Sequence, residues 1–556
     1  MSRRFRSVLT AFFLLAPVLA DATAPPGTPT VPTQAPEVAL RIDPQLLAEA
    51  AEVWPVITSR ENPVWPGWDA SDTPILFYLP GEQDVLINHP RPPSGFVAYE
   101  GPLRFPGGRI MIRDGASIVP IDGQNTSLEV EGVPTLVVAD PLSSLRQQVR
   151  GLLQDPRPPA EKARELGFRE LASDPYDQLA LVVHEAFHVF QDRVAPAKHA
   201  DEMLLLYYPV LSVDNNVGFA KEGAALAAAL KSDSGAALRK AVMRWLVLRQ
   251  SRRAMLPAEA VAYEDGVEFT EGLAKYTEYR LLEALEGRTP RPEMGWVRGF
   301  RGYADLAPRR AELVATMLRH MRGAVAVNDD PYGTAPLRMR LYYSGMAIGA
   351  LLDRLSSDWK GRILKPEASL TGLVESAARA DSTELQKVRE AVRREGSDEV
   401  LAAEKRRLAE QGQARIDAMV AEIEHGSGTG VLVDYVALET SRVALAFTPF
   451  GITVVDEDRT IFAQVPVRAR FDDGSEIVQT EPIPLLRDKK NRLIRFRLAK
   501  EVSPEELARA ADAGAWTGQE PHAVNVALPG VEVRSSSAVV ERAGKDIRIY
   551  LRPQRK

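Results

Sequence analysis

The segment Val183-His184-Glu185-Ala186-Phe187-His188-Val189-Phe190-Gln191 sets two histidines four residues apart, with a glutamate directly after the first. On a helix, that spacing sends both imidazoles from one face toward the same point in space, with a carboxylate beside them. Two imidazoles and an adjacent carboxylate are half of a zinc site together with its general base. The competing reading is one surface histidine and one hydrogen-bonded core histidine. With only 7 histidines in the chain, a chance pair at this spacing followed by a glutamate would be unusual.

A catalytic zinc takes three protein ligands and leaves a position for water. The chain has no cysteine, so the third ligand has to be His, Asp or Glu. Glu271 is the expected one, because it precedes Gly272 in a helical stretch. A glycine inside a helix costs about 1 kcal/mol relative to alanine, and its presence there marks the close approach of another helix. Glu264, Glu268 and Glu271 are expected to share a helix face, and Glu278 lies two turns after Glu271. They cannot all be ligands, and Glu268 is expected beside the ion or along the cleft. Glu222, in Lys221-Glu222-Gly223, is the alternative third ligand. Gln191, one turn beyond His188, is expected to hold a ligand histidine or to line the cleft.

The element that must carry the histidines is well signalled. Asp174 can cap free backbone N–H groups, Pro175 suits the first helical position, and Asp177 adds negative charge to the first turn. Leu179, Leu181, Val182, Val183, Phe187, Val189 and Phe190 make the segment apolar on most sides. Imidazoles on such a buried helix need a partner.

A chain of 556 residues is too long for one core and implies two to four domains. With 45% hydrophobic and 26% charged residues and a net charge of -6, the bulk is ordinary globular protein, and nucleic acid is excluded as a partner. Residues 1–20 carry arginines followed by an apolar run too short to span a membrane, and are expected to be a cleaved signal peptide. Residues 21–40, rich in Pro, Thr and Ala, are expected to be a flexible spacer. Export without disulfides points to a bacterial periplasmic or secreted protein with no membrane span once the signal is removed.

Residues 41–141 alternate short β-prone runs with turn residues, after a short helix near Asp43-Pro44, and His89 and Asn125 are expected at the surface of this portion. The sequence leaves open whether 62–140 is an independent domain or a sheet packed on the helices that follow. Residues 142–425 read as mostly helical, including spans near 142–153, 160–170, 258–286 and 383–424. Past a glycine-rich hinge at 426–430, residues 431–556 read as an antiparallel, sandwich-like β domain. The fold class is therefore α+β, a mostly helical central domain between two β-rich flanks.

The pairing of His184-Glu185-Ala186-Phe187-His188 with Glu271-Gly272-Leu273-Ala274-Lys275-Tyr276 resembles the gluzincin zinc metallopeptidases, including bacterial secreted families. The resemblance covers about residues 175–360. It implies a zincin-like catalytic domain, His184, His188 and Glu271 as zinc ligands, and Glu185 as the catalytic base. Leu341-Tyr342-Tyr343-Ser344-Gly345 further resembles the Tyr-x-x-Gly helix of the aminopeptidase-like and glycyl-aminopeptidase-like members, which presents a tyrosine to the tetrahedral intermediate. That register implies Tyr342, or Tyr343 after a one-residue shift. Ser344 stands where those families often have lysine.

The function implied is hydrolysis of peptide bonds by metal-activated water on a peptide or protein substrate. The alternatives are a non-catalytic binding or envelope protein on the same scaffold, and an amidase acting on cell-wall or modified peptide material. No phosphate-binding loop or nucleophile-elbow serine competes, and no glycine-rich recognition loop before His184 assigns an exopeptidase.

Overall fold

Asp43 accepts a hydrogen bond from Gln45 N–H and Pro44 opens helix α1 (Pro44–Ile57). The computed structural model describes residues 40–59, 61–119, 121, 125–140, 174–233, 235–326, 332–438, 443–446, 451–463, 466–503, 505–506 and 521–553. The expected signal peptide, nearly all of the spacer, and the helices near 142–153 and 160–170 lie outside the described residues.

Six strands follow α1: β1 (Ile75–Leu79), β2 (Gln83–Ile87), β3 (Val97–Ala98), β4 (Ile110–Asp114), β5 (Thr126–Val130) and β6 (Val133–Ala139). They form one sheet in the order β3-β4-β2-β1-β6-β5, with β1 and β6 parallel and the other pairs antiparallel. The unbroken apolar run of β1 suits a strand buried on both faces. Phe77, Leu79 and Val138 enter the main core with α1, whereas Leu76, Tyr78 and Val137 form a smaller core on the other face. Asp43 N–H donates to Asp140 Oδ2 at 2.6 Å and so ties the start of α1 to the end of β6.

The edge strand β5 has no counterpart among the sequence-read runs. Its signal is the turn that follows: Glu131 and Gly132 both take positive φ (47° and 73°), as a two-residue hairpin loop requires. His89, expected at the surface, is buried, with Nε2 3.0 Å from the Val130 carbonyl.

The helical part comprises α2 (Pro175–Val194), α3 (Val213–Lys231), α4 (Gly235–Arg253), α5 (Ala258–Val267), α6 (Leu273–Leu285), α7 (Ala307–Arg322), α8 (Thr334–Leu355), α9 (Trp359–Ile363), α10 (Leu370–Ala377), α11 (Ser382–Arg394) and α12 (Glu399–His425). A π-turn at Glu268–Gly272 joins α5 to α6 without a break. The helical span read near 383–424 is two helices. Gly396 adopts φ 77° after α11, and Asp398 restarts the chain by accepting from Leu401 N–H at 3.0 Å.

The N-terminal sheet packs on these helices rather than standing apart: β5 and β6 lie against α2, and Ser127 on β5 donates to Asp192 Oδ2 on α2 at 3.2 Å. Beyond α12 the described strands from Gly430 to Leu551 form one curled, antiparallel-rich sheet of 11 strands. Its parallel pairing joins Gly430–Asp434 to Asp546–Leu551. The helix α12 covers part of it, with Ile423 packed on Ile461 and Leu486. Among the described residues no helix is long and apolar enough to cross a membrane.

One crossing fixes the middle of the molecule. A Cβ added to Gly345 on α8 would stand 2.6 Å from Gly272 Cα and 2.7 Å from the Glu268 carbonyl, and one added to Gly272 would stand 2.7 Å from Gly345 Cα. The close approach read from Gly272 is therefore made by α8, not by the histidine helix. Neither backbone can yield locally, so Gly345→Ala should lower the unfolding free energy by about 1–3 kcal/mol through overpacking. Gly361→Ala, which meets nothing within 4 Å, should leave it unchanged or slightly raised. Urea denaturation of the two variants checks this, and equal midpoints would refute the tight crossing.

Candidate metal centre

The helix α2 is rotated by its aromatic side. Phe187 packs on Trp65 and Trp68 with ring centroids 4.8 and 5.2 Å apart, and Phe190 lies on the same pair. With that face held, His184 and His188 turn toward the chain running through the π-turn. The extra residue of a π-turn shifts the register of everything after it. Glu264 and Glu268, expected on one face with Glu271, instead point to a different set of partners.

The structure brings together His184, His188 and Glu271, whose ligand atoms all lie within 4.8 Å of one another and could hold a metal ion. Glu271 Oε2 is 3.5 Å from His184 Nε2 and 3.5 Å from His188 Nε2. Two ligands about 2.1 Å from one tetrahedral ion stand ~3.4 Å apart, so the carboxylate oxygen already sits at the separation an ion requires. Glu271 Oε2 is buried and makes no hydrogen bond.

Both imidazoles are held from behind. His184 Nδ1 is 2.7 Å from Glu278 Oε1, whose other oxygen accepts from Lys275 Nζ at 2.6 Å. His188 Nδ1 is 3.0 Å from Gln191 Oε1, and Gln191 Nε2 donates to the Phe269 carbonyl at 2.7 Å. Acceptors at both Nδ1 atoms keep the protons there when the rings are neutral, which leaves Nε2 as the metal-facing atom. Gln191 thus holds a histidine, one of its two expected places.

Glu185 lies beside this group, 1% exposed, and its Oε1 is buried without a hydrogen bond. Tyr342 joins from α8, its ring centroid 6.5 Å from that of His184. Tyr343, the alternative, stacks on His320 at 5.0 Å and so turns to another face of α8. Glu222, the alternative third ligand, is buried between Arg249 and Arg252 at 2.6 and 2.8 Å. Glu268 lies behind the site, bonded to Arg249 and accepting from Ser344 Oγ at 2.6 Å. Glu278, placed by the sequence two turns after Glu271, is the partner of His184 rather than a ligand. Sequence reading gave no role to Lys275 or Arg338.

Charge supports the fit. Among the described residues, Glu185, Glu202, Glu271 and Glu278 are buried around the imidazoles against the buried cations Lys275 and Arg338. With neutral imidazoles and ionised carboxylates, the group is short of two positive charges, which a divalent ion supplies. In the metal-free chain protons take that place. Burial works against a charged His184, but the carboxylates of Glu271 and Glu278 beside it raise it to about 10. Burial likewise opposes His188, and Glu271 raises it. Burial opposes the charged form of Glu271 too, yet His188, His184 and Arg338 hold its carboxyl well below the usual range.

An incoming ion must therefore displace the proton that His184 retains to about pH 10, so affinity should rise with pH and binding should release at least one proton. Titration calorimetry in buffers of differing ionisation heat measures this, and a buffer-independent heat would contradict it. Comparison with protein-family models, with curated proteins and with solved structures finds no match for this chain, so what it can do is carried by the side chains of this site.

Proposed function

We propose that the protein is a zinc-dependent hydrolase of peptide bonds, exported by a bacterium to its periplasm or surroundings. His184, His188 and Glu271 hold the ion, a donor set of two imidazoles and one carboxylate that suits zinc with a position left open. The observation that carries the reading is Glu185: a carboxylate next to a ligand histidine, buried, with an oxygen that makes no hydrogen bond. A site kept for structure alone has no use for an orphaned base, which is expensive to bury.

Zinc, when bound, supplies a Lewis acid that acidifies water and polarises a carbonyl. Glu185 accepts the water proton and returns it to the leaving amine. Burial raises its carboxyl, against the opposing His188 and His184, which brings it nearer to the range in which a proton is both taken and given. Tyr342 donates its hydroxyl to the oxygen on which charge develops. Gln191 and Glu278 keep the two imidazoles in one orientation throughout. Strand β5, last in its sheet among the described residues, half-exposed at Ser127 and Leu128 and fastened to α2, is the edge on which an extended peptide would lie.

Burial favours a second reading, a metal held for structure in a binding protein. His184, Glu185 and Glu271 are each at most 1% exposed, and His188 is the one of the four that reaches solvent. A single pair of proteins separates the two. Zinc-loaded wild type should cleave members of a fluorescence-quenched peptide library, and Glu185→Gln should bind zinc equally while cleaving about 10²–10⁴-fold more slowly. Cleavage undiminished in Glu185→Gln, or no cleavage by the zinc-loaded wild type, would sink the hydrolase reading.

A further inference from the structure

Arg338 stands on α8 one turn before Tyr342, so both side chains leave the same face. Its guanidinium is wholly buried and divides its fork between two tasks. On one side, Nη1 donates to Glu202 Oε1 at 2.5 Å and to Tyr263 OH at 3.0 Å, while Tyr263 OH donates to Glu202 Oε2 at 3.1 Å. Glu202 is thereby engaged on both oxygens and anchors the cation. On the other side, Nη2 donates to Tyr342 OH at 3.2 Å and lies 3.4 Å from Glu271 Oε1.

Two consequences follow for the site. Glu271 is split between partners, with Oε1 on Arg338 and Oε2 toward the imidazoles, so it offers a metal one oxygen and leaves room for water and substrate. Tyr342 accepts from the guanidinium, and a phenol has one proton, so its O–H is directed away from Arg338 as a donor. We propose that Arg338 is a positioning residue of the hydrolytic site, fixing at once the single metal-facing oxygen of Glu271 and the donor direction of Tyr342. The proposal rests on the peptidase reading. Lysine cannot replace it, because a point charge lacks the planar fork that reaches both pairs.

The experiment compares Arg338→Met, Tyr342→Phe and the double variant with wild type. It reads the zinc dissociation constant by chelator competition, then kcat and KM on a cleaved peptide at saturating zinc, with circular dichroism to confirm folding. Arg338→Met should weaken zinc about 10–100-fold and lower kcat roughly 10²–10³-fold with little change in KM. Tyr342→Phe should lower kcat by a similar factor and leave zinc affinity alone, and the double variant should lose no more kcat than Tyr342→Phe. If Arg338→Met does not fold, Arg338→Lys keeps the charge against Glu202 and carries the same expectations. Unchanged zinc affinity in a folded variant, or kcat losses that multiply in the double variant, would overturn the role of Arg338 with the peptidase reading intact. An inactive zinc-loaded wild type would overturn the peptidase reading itself and the Tyr342 half with it.

Discussion

Gly272 and Gly345 let two backbones touch where the π-turn crosses α8, and the position of the site's carboxylate and tyrosine follows from that contact. Glu271 immediately precedes the first glycine, and Tyr342 lies three residues before the second, on the helix face that meets the π-turn. One close approach therefore sets both groups relative to each other with no intervening side chain to adjust. The back of the crossing is fastened by Glu268, which takes the Ser344 hydroxyl from α8 and Arg249 from α4. Ser344 thus has a defined partner in this chain.

The second requirement is to bury so many ionised groups together. Desolvation penalises each of them, and only dense pairing offsets it. The chain separates two networks on either side of the π-turn. The buried Glu222, Glu264 and Glu268 are matched by Arg249, Arg252 and Arg253, and Arg253 also reaches Asp265 toward the surface. Around the imidazoles, carboxylates exceed cations, and Glu185 and Glu271 each keep a buried oxygen without a hydrogen bond. The unbalanced network is the one that could hold a metal ion.

The helix of the two histidines was legible because its apolar residues, cap and spacing all agree, and Gly272 was legible as a site of close approach. The partner in that approach was not, since a glycine announces proximity without naming the neighbour. The shared face assigned to Glu264, Glu268 and Glu271 fails because regular helical periodicity has no term for a π-turn. Strand β5 was missed because Thr126-Ser127-Leu128-Glu129-Val130 is a mostly polar edge sequence whose only strong mark is the Glu131-Gly132 turn. Arg338 was unreadable for another reason: Tyr342 lies one turn away, but Glu202, Tyr263 and Glu271 come from distant parts of the chain, and no local pattern announces such a junction. The coarse α+β order, in contrast, follows from periodicity that changes near both ends of the helical part.

The central claim is that His184, His188 and Glu271 form one metal centre. Elemental analysis of the purified protein after zinc loading and removal of excess ion tests it most directly, with Glu271→Gln measured alongside and folding checked by circular dichroism. The account predicts about one zinc per chain in the wild type and a sharp loss in a folded Glu271→Gln. A wild type that retains no zinc, or a Glu271→Gln protein that retains it undiminished, would contradict the account.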